Sequence, residues 1–373
     1  MIRGRSLRKD IPEITALRIL AALCVVISHL HALGMVCAAR FDEIVDGGRP
    51  AVCFFFVLSG FIMHHNYPLL DARDSVATRR FARSRVARLY PTLLLSLCMA
   101  LPTVIYLLTT HADDLLLQYY ALKSHYASWL VASAIAQLLV LTGWTPAAAI
   151  NQPWNGPAWS LSCEFFFYAA FPFIRPVLQR LSSRLIIVAM IAAWLLQGIW
   201  MIALYAFAAP NRSPFLVYQF PLTHFPEFMA GICAGILFSR FNRQQLNVLI
   251  GVATVAALLA VAAVYSWKIH LPAFYGETPI FLALIVATVG SSGSLWLAPL
   301  RNSVVVALGH ASYALYIIHV PILLGASVLG IAIALGWFWL PLLLLASLLI
   351  HYRYAEPIRR WLLTRPQPQR LAQ

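Results

Sequence analysis

The stretch LRILAALCVVISHLHAL, residues 17–33, decides the fold class, because it is long and apolar enough to cross a lipid bilayer. A charge placed inside such a segment costs about 2.5–3.5 kcal/mol on insertion scales. An ionisable side chain there is therefore a functional candidate by default. The stretch predicts a first membrane-spanning helix, and its Arg18 and His29 are the first candidate functional residues.

The spacing of Arg18 and His29 places both side chains on nearly one face of that helix. Eleven residues at about 100° each return to almost the same direction, about 16 Å further along the axis. The two side chains are then too far apart to bond to each other. The spacing predicts a cation near the cytoplasmic end of the helix and an imidazole toward its far end. Both side chains would then lie along one polar path.

The composition indicates a membrane protein with many spans. Of the 373 residues, 61% are hydrophobic and only 11% are charged, which is more apolar material than a soluble core needs. The net charge of +14 lies in loops between apolar segments rather than in a basic domain, so we expect no nucleic-acid partner. The six cysteines form no CxxC pair, and five of them lie in or beside apolar segments.

Ten apolar segments have a length close to that of a membrane span, although the second and fourth are short. They lie near residues 14–34, 51–66, 87–109, 158–174, 185–208, 219–239, 246–265, 278–297, 304–325 and 331–351. An eleventh stretch, residues 129–141, is too short for a span and is typical of a re-entrant or interfacial segment. The predicted fold class is an all-α polytopic membrane bundle of about ten transmembrane helices and one such short segment.

The placement of Lys and Arg predicts the orientation of the bundle. With ten spans and a cytoplasmic N-terminus, 21 of these residues lie on the cytoplasmic side and five lie outside, which is the positive-inside pattern. If residues 129–141 also crossed the bilayer, the division would become 12 against 14. We therefore predict a multi-pass protein of the cytoplasmic (inner) membrane with both termini in the cytoplasm.

The predicted domain organisation is simple. One transmembrane domain covers residues 1–361, and a short cytoplasmic tail, residues 362–373, is expected to be disordered. The N-terminal apolar run contains Arg18, which a signal-peptide core tolerates poorly, so we interpret it as a retained span. The loop at residues 142–158 mixes Trp, Pro and Gly, which rules out regular helix through it and indicates backbone that is buried or lines a cavity.

Candidate binding residues lie in and beside the second and third spans. Ser59 and Gly60, in an otherwise apolar helix, permit close backbone approach by a neighbouring helix or by a ligand. Arg85 and Arg88 are neighbours on a helix, and their planar forks suit phosphate. A cluster that only sets topology is the alternative. The position of Arg88 and Tyr90 at the bilayer edge favours a phosphate-bearing ligand that enters from the cytoplasm.

The fourth and ninth spans also contain costly polar side chains. A carboxylate one turn into a span, Glu164, needs a partner, which Arg18 or His29 could supply; a purely structural ion pair is the alternative. Tyr316 and His319 share a helix face, and a satisfied core histidine is the alternative there. We expect no metal, because the histidine pairs at 29/31 and 64/65 lack Cys, Asp or Glu partners.

Together these motifs make the chain similar to acyltransferase family 3, integral membrane enzymes that O-acylate surface carbohydrates and related acceptors from acyl-CoA. The resemblance covers nearly the whole chain. Each motif is weak alone, but their order at the ends of the spans is specific. The motifs are Arg18 with His29, Phe55-Phe56-x-Leu58-Ser59-Gly60-Phe61, Arg85-x-x-Arg88-x-Tyr90-Pro91, Trp159-Ser160-Leu161-Ser162-x-Glu164, Ser312-Tyr313-x-x-Tyr316-x-x-His319 and Glu356-Pro357.

The resemblance implies a membrane-bound O-acyltransferase. Its donor would be cytoplasmic acyl-CoA, with acetyl-CoA as the default, and its acceptor a cell-surface or lipid-linked carbohydrate, including glycolipids. Arg85, Arg88 and Tyr90 would bind the donor, and Arg18 would attract its thioester end or pair with Glu164. The esterase-like domain of some family members has no counterpart in this sequence, so a separate periplasmic partner is a further expectation.

The catalytic hypothesis centres on His29 as general base for the acceptor hydroxyl. Glu164 would orient the imidazole or stabilise its protonated form. Direct transfer and a covalent acyl-enzyme both stay open. The candidates for binding substrate or stabilising the oxyanion, among which the sequence does not choose, are Ser59, Ser162, Trp154, Tyr316 and His319.

A proton-coupled secondary transporter or flippase is the alternative function. Such carriers also hold Arg, His and Glu inside their spans. They commonly carry inverted repeats, and this sequence contains no such internal symmetry.

Overall fold

The described part of the protein consists of helices joined by turns and short irregular segments. The structure is a computed structural model that describes residues 11–36, 48–208, 213–266, 273–331 and 335–364, and these ranges contain no β-strand. The helices are α1 (Pro12–Ala32), α2 (Gly48–Asn66), α3 (Ser75–Thr109), α4 (Asp113–Tyr120), α5 (Tyr126–Leu138), α6 (Ala148–Asn151), α7 (Trp159–Arg180), α8 (Ser183–Phe207), α9 (Ser213–Tyr218), α10 (Pro221–Arg240), α11 (Arg243–Ser266), α12 (Ala273–Gly290), α13 (Ser303–Val328), α14 (Trp339–Ile350) and α15 (Glu356–Thr364).

The long helices confirm an all-α polytopic membrane protein. Within the described ranges, seven helices are long and apolar enough to cross a membrane, and a pair bent by 100°, Tyr275–Gly290 with Leu295–Arg301, is an eighth candidate. The two remaining predicted segments fall on α2 and α11, of 19 and 24 residues. The count of ten spans and the cytoplasmic termini stay predictions. Arg40, Arg212, Lys268 and the tail from residue 365 lie outside the described residues.

Helices α2 and α10 pack at backbone contact. A Cβ atom on Gly60 would collide with the carbonyl oxygen of Phe228, and one on Gly231 would collide with that of Val57. Glycine therefore permits the two helices to approach each other, as small residues do in membrane bundles. Of the two interpretations offered for Gly60, the structure supports the neighbouring helix.

Helix α1 packs against α13 and α2, and its first turn is anchored. The buried Glu13 carboxylate accepts hydrogen bonds from the Gly293 amide at 3.0 Å and from Ser292, and it pairs with Arg301 at 3.2 Å. A buried carboxylate with several donors and a cation is a satisfied charge. This anchor fixes the axial position of α1, which carries Arg18 and His29.

Helix α3 is longer than hydropathy predicts. It begins at Ser75, where the Asp74 side chain accepts hydrogen bonds from the backbone amides of Val76 and Ala77 at 3.1 and 2.9 Å. An N-cap of this kind starts a helix regardless of whether the next residues are apolar. The Arg-rich stretch before residue 87 is therefore helix rather than loop, and Arg85 and Arg88 are neighbours on it as predicted.

Residues 126–158 form a short helix followed by irregular chain, as predicted. Helix α5 has 13 residues, and after it come two single 3₁₀ turns, Thr142–Trp144 and Gly156–Ala158, on either side of α6. The irregular segment is partly buried, and its fully buried Asn155 donates from the side-chain amide to the carbonyl of Ile317 in α13 at 2.9 Å. It forms one wall of the cavity described next.

Candidate functional site

A cavity of about 330 Å³ opens between α1, α2, α13 and the irregular segment. Three of the predicted site residues, His29, Trp154 and Tyr316, line it. Arg18 does not line it. The cavity therefore lies at the His29 end of the predicted polar path, away from Arg18.

The imidazole of His29 meets that of His319 at the cavity wall. The His29 Nδ1 atom lies 2.9 Å from the Val25 carbonyl oxygen and 3.3 Å from His319 Nε2, and the rings meet edge to face. The His319 Nδ1 atom lies 3.3 Å from the Leu315 carbonyl oxygen. Because carbonyls only accept, both Nδ1 atoms carry the proton. His29 Nδ1–H then donates to Val25 and His319, and its Nε2 retains a free lone pair.

Glu164 lies elsewhere and does not orient His29. Its carboxylate accepts a hydrogen bond from the Tyr168 hydroxyl at 2.8 Å, one helical turn along α7. The described contact of the His29 ring with another ionisable side chain is instead with His319, since α1 packs against α13. The place of Glu164 in the site stays a prediction.

Glu164 belongs to a second polar cluster, which we call the arginine cluster: Arg18, Arg85, Arg88, Glu164 and Tyr168. Arg18 lies within electrostatic range of the other four side chains. It forms no ion pair with Glu164 closer than 4 Å. The arginine cluster contains three guanidinium groups and one carboxylate, so it has an excess of positive charge. Such an excess, partly buried, suits an anionic ligand.

Within the arginine cluster, Arg85 is held by aromatic rings. Its guanidinium stacks over Tyr67, Phe81 and Tyr168 at 5.4–5.8 Å and donates to the Tyr67 hydroxyl at 3.0 Å. Burial raises the pKa of Tyr67, but Arg85 and the hydrogen bonds with Ser84 and Arg85 lower it, and the net shift is downward. Arg85 is only 7% exposed, so Arg88, partly exposed and with no hydrogen bond among the described residues, is the freer cation.

Three predicted hydroxyl or indole donors are already engaged. The Trp154 indole donates to the Leu130 carbonyl at 2.9 Å, and Ser162 accepts from the Gly143 amide at 3.0 Å. The Tyr316 hydroxyl lies 2.9 Å from Ser160 Oγ. These contacts position the cavity wall, and they leave no spare N–H on Trp154 for an oxyanion.

Two other predicted residues lie away from the cavity. Ser59 is buried in α2. The Tyr90 hydroxyl donates to the Leu138 carbonyl of α5 at 3.0 Å. That bond ties the arginine-bearing helix α3 to the short helix, while the donor-binding role of Tyr90 stays a prediction.

The sequence analysis missed a buried cluster behind the cavity, formed by Cys53, His224 and Glu227. His224 Nδ1 lies 3.0 Å from a Glu227 carboxylate oxygen, and its Nε2 lies 2.7 Å from the Tyr218 carbonyl oxygen. Atoms of all three that could ligate a metal lie within 4.8 Å of one another, so the expectation of no metal is best tested here. The sequence signal for this cluster was the pair His224 and Glu227, which are three residues apart inside an apolar segment and therefore share a helix face.

Residues 11–352 match the sequence profile of a family described as an acyltransferase domain, acyltransferase family 3. The chain belongs to acyltransferase family 3. The match spans every residue of the cavity and of the arginine cluster, so both lie in the family domain.

Two curated relatives of this acyltransferase family 3 member carry activity names. Acyltransferase MdmB of Streptomyces mycarofaciens is 26% identical over 338 residues, which are 83% of this chain and 78% of MdmB. Peptidoglycan O-acetyltransferase OatA of Listeria monocytogenes serovar 1/2a (strain ATCC BAA-679 / EGD-e) is 26% identical over 348 residues, 85% of this chain. The match spans only 50% of OatA. No solved structure is significantly similar to the chain.

Proposed function

We propose that this acyltransferase is an O-acyltransferase of the cytoplasmic (inner) membrane. It moves an acyl group, by default acetyl, from cytoplasmic acyl-CoA to a hydroxyl of a cell-surface or lipid-linked carbohydrate. Its family and the name of the relative OatA support acyl transfer to oxygen. The donor and the acceptor are part of the proposal.

One observation carries the proposal: the free Nε2 of His29 at the cavity wall. The carbonyl of Val25 and the imidazole of His319 fix the proton on Nδ1. The opposite ring nitrogen is then available as a base without any rearrangement. This is the arrangement that a general base for a hydroxyl needs, with a second group that holds its tautomer.

The reaction follows from this arrangement. The acceptor hydroxyl gives its proton to His29 Nε2 while its oxygen attacks the thioester carbonyl carbon. A C–O bond forms, the C–S bond breaks, and the departing thiolate takes the proton from the imidazolium. The products are an ester and free coenzyme A, and His29 returns to its neutral form. His319 stabilises the imidazolium by accepting the bond from Nδ1–H.

The arginine cluster supports the donor half of the proposal. Coenzyme A carries phosphates at one end and the thioester at the other. Arg18 and His29 lie on one helix, about 16 Å apart along its axis. An extended donor with its phosphates near Arg88 and Arg18 would direct its thioester toward the cavity.

The test is acyl transfer by the purified full-length protein in liposomes, with isotope-labelled acetyl-CoA. We expect His29→Ala to insert and fold but to lose nearly all transfer, at least about 10²-fold, because the general base is gone. The control is His125→Asn, an exposed histidine in left-handed conformation at the start of α5, where Asn is tolerated. Transfer by His29→Ala at the rate of the unchanged protein would contradict the assignment.

The transporter alternative predicts a different result in the same liposomes. A carrier has no use for a thioester, so binding of acyl-CoA to the detergent-purified protein and formation of an ester both favour the enzyme. Movement of intact substrate across the bilayer without ester formation would favour the carrier.

A further inference from the structure

One residue supplies the permanent charge of the described cavity lining. Among the described residues that line it, Arg49, at the start of α2, carries the only permanent charge, and none of them is a carboxylate. The rest of the described lining is aromatic, apolar or neutral polar, with His29 as its one imidazole. Arg49 is itself solvent-exposed while it lines the cavity. A cleft whose lining carries charge of one sign raises the local concentration of ligands of the opposite sign.

Arg49 has one partner in the described part of the chain, and that partner is not an acid. Its guanidinium stacks over the ring of Tyr218 at 5.0 Å. None of the ion pairs among the described residues includes it. A stacked guanidinium keeps its N–H donors in its own plane, free to bind a planar anion with two bonds.

The position of Arg49 is built by its neighbours. The buried His224 holds the Tyr218 carbonyl at 2.7 Å, and the Tyr218 ring packs on Trp159 at 4.9 Å. Gly48 lets the start of α2 touch Ser28, the residue before His29, since a Cβ there would collide with the serine hydroxyl. The same close contact holds Arg49 in the wall that contains the proposed base.

We infer that the acceptor carries an anionic oxygen group, a carboxylate or a phosphate, which Arg49 binds while the acceptor hydroxyl faces His29. This inference rests on the proposed function for the identity of the cavity as the acceptor site. It narrows the acceptor to acidic sugars, or to sugars linked to a phosphate. A neutral sugar would leave the guanidinium without the charged partner that its geometry fits.

A binding experiment tests the inference without acyl transfer. The probes for a carboxylate are a hyaluronan tetrasaccharide and the neutral chitotetraose. The probes for a phosphate are N-acetylglucosamine 1-phosphate and N-acetylglucosamine. Affinity for the full-length protein in nanodiscs is read from the rise of its melting temperature with ligand concentration, since a ligand of the folded state stabilises it.

We expect at least one anionic probe to bind about tenfold or more tightly than its neutral partner, the difference that one charge-assisted contact makes. Arg49→Gln should remove this difference and leave the neutral affinity unchanged, and Arg49→Lys should retain part of it. The matched control is Lys123→Gln, an exposed cation that does not line the cavity and should change neither affinity.

Several results would overturn the inference. Equal binding of anionic and neutral probes, no binding of either anionic probe, or equal weakening of both classes in Arg49→Gln would each do so. The last result would instead indicate a residue that shapes the cavity. Because no acyl donor is present, failure of the proposed function appears only in the transfer assay with His29→Ala, and the two failures are distinguishable.

Discussion

At the residue scale, the chemistry of His29 depends on a neighbour that is 290 positions away in sequence. A lone histidine on an apolar helix is a base of undefined tautomer. The contacts of its Nδ1 atom with Val25 and His319 define the tautomer, in which Nε2 is the nitrogen with the available lone pair. On the proposed mechanism His319 is a positioning residue, and its loss should reduce turnover rather than donor binding.

The first residue-scale prediction concerns that contact. We expect His319→Leu to lower kcat about 10²-fold, because it removes one of the two acceptors of His29 Nδ1–H, the imidazole proposed to stabilise the imidazolium, and leaves only the Val25 carbonyl. His319→Gln, whose amide oxygen can accept the same bond, should retain more activity. The KM for acyl-CoA should stay the same in both variants. Steady-state kinetics in liposomes checks this, and equal losses in the two variants would argue for a packing role.

The second residue-scale prediction concerns Arg88. We expect Arg88→Gln to raise the KM for acyl-CoA about tenfold, the effect of one charge-assisted contact with phosphate, with kcat at saturating donor little changed. Acyl-pantetheine lacks the adenosine phosphates, so its KM should not respond. Arg80→Gln is the control, because Arg80 is exposed on the same helix. An equal rise for both donors would place the phosphates elsewhere.

The sequence indicated which ionisable residues are candidates for function, but it did not predict which of them contact each other. Arg18, His29, Glu164 and His319 stand out because ionisable groups in apolar segments are costly. Which of them meet depends on the packing of α1 against α13, and no local pattern reports that. Glu164 instead accepts a hydrogen bond from Tyr168, because residues four positions apart on one helix lie close to each other.

At the element scale, the bundle depends on the contact between α2 and α10. Gly60 and Gly231 each face a backbone carbonyl of the other helix. No rotamer change can relieve a collision with backbone. Substitution at either position must therefore push the two helices apart, and the wall of the cavity that α2 contributes would move with them.

The element-scale prediction follows. We expect Gly60→Ala and Gly231→Ala each to destabilise the protein by about 1–3 kcal/mol or more through overpacking. Gly251→Ala is the control, since a Cβ there meets nothing within 4 Å and alanine favours helix, so it should be neutral or stabilising by up to about 1 kcal/mol. Melting temperatures in detergent compare the three. A stability of Gly60→Ala like that of the control would show that the helices separate easily.

Hydropathy located the long helices but did not predict where each of them begins. Apolar runs located the long helices, but they placed the start of the third span at residue 87, twelve residues after the helix begins at Ser75. The capping side chain of Asp74, not apolarity, sets that start. The Pro and Gly content of residues 142–158 did predict the break in regular helix, because proline removes a helical N–H donor and glycine in a helix carries an entropic cost.

At the scale of the whole molecule, the arginine cluster and the cavity are separate sites joined by α1. The arginine cluster holds the excess positive charge, and the cavity holds the free imidazole nitrogen. On the predicted topology, the first faces the cytoplasm and the second faces outward. The charge asymmetry between loops predicted this orientation, although it could not predict how the cavity is shaped.

The whole-molecule prediction concerns sidedness. In liposomes where the protein has one orientation, we expect ester formation when acetyl-CoA is present only on the side of Arg184 and acceptor only on the side of Lys123. These exposed residues lie on opposite predicted faces. Labelling of Arg184→Cys and Lys123→Cys with an impermeant reagent, in a background without native cysteines, fixes the orientation. Transfer only when both substrates share one side would contradict the prediction.

The anchoring of α1 by Glu13 has a consequence for how its length can vary. With the first turn fixed to Arg301, each residue inserted between Arg18 and His29 turns the imidazole by about 100° and advances it by about 1.5 Å. One extra residue would point His29 away from His319 while Arg18 stayed in place. The number of residues between Arg18 and His29 therefore sets the direction in which the imidazole points. This part of the chain can change in composition far more readily than in length.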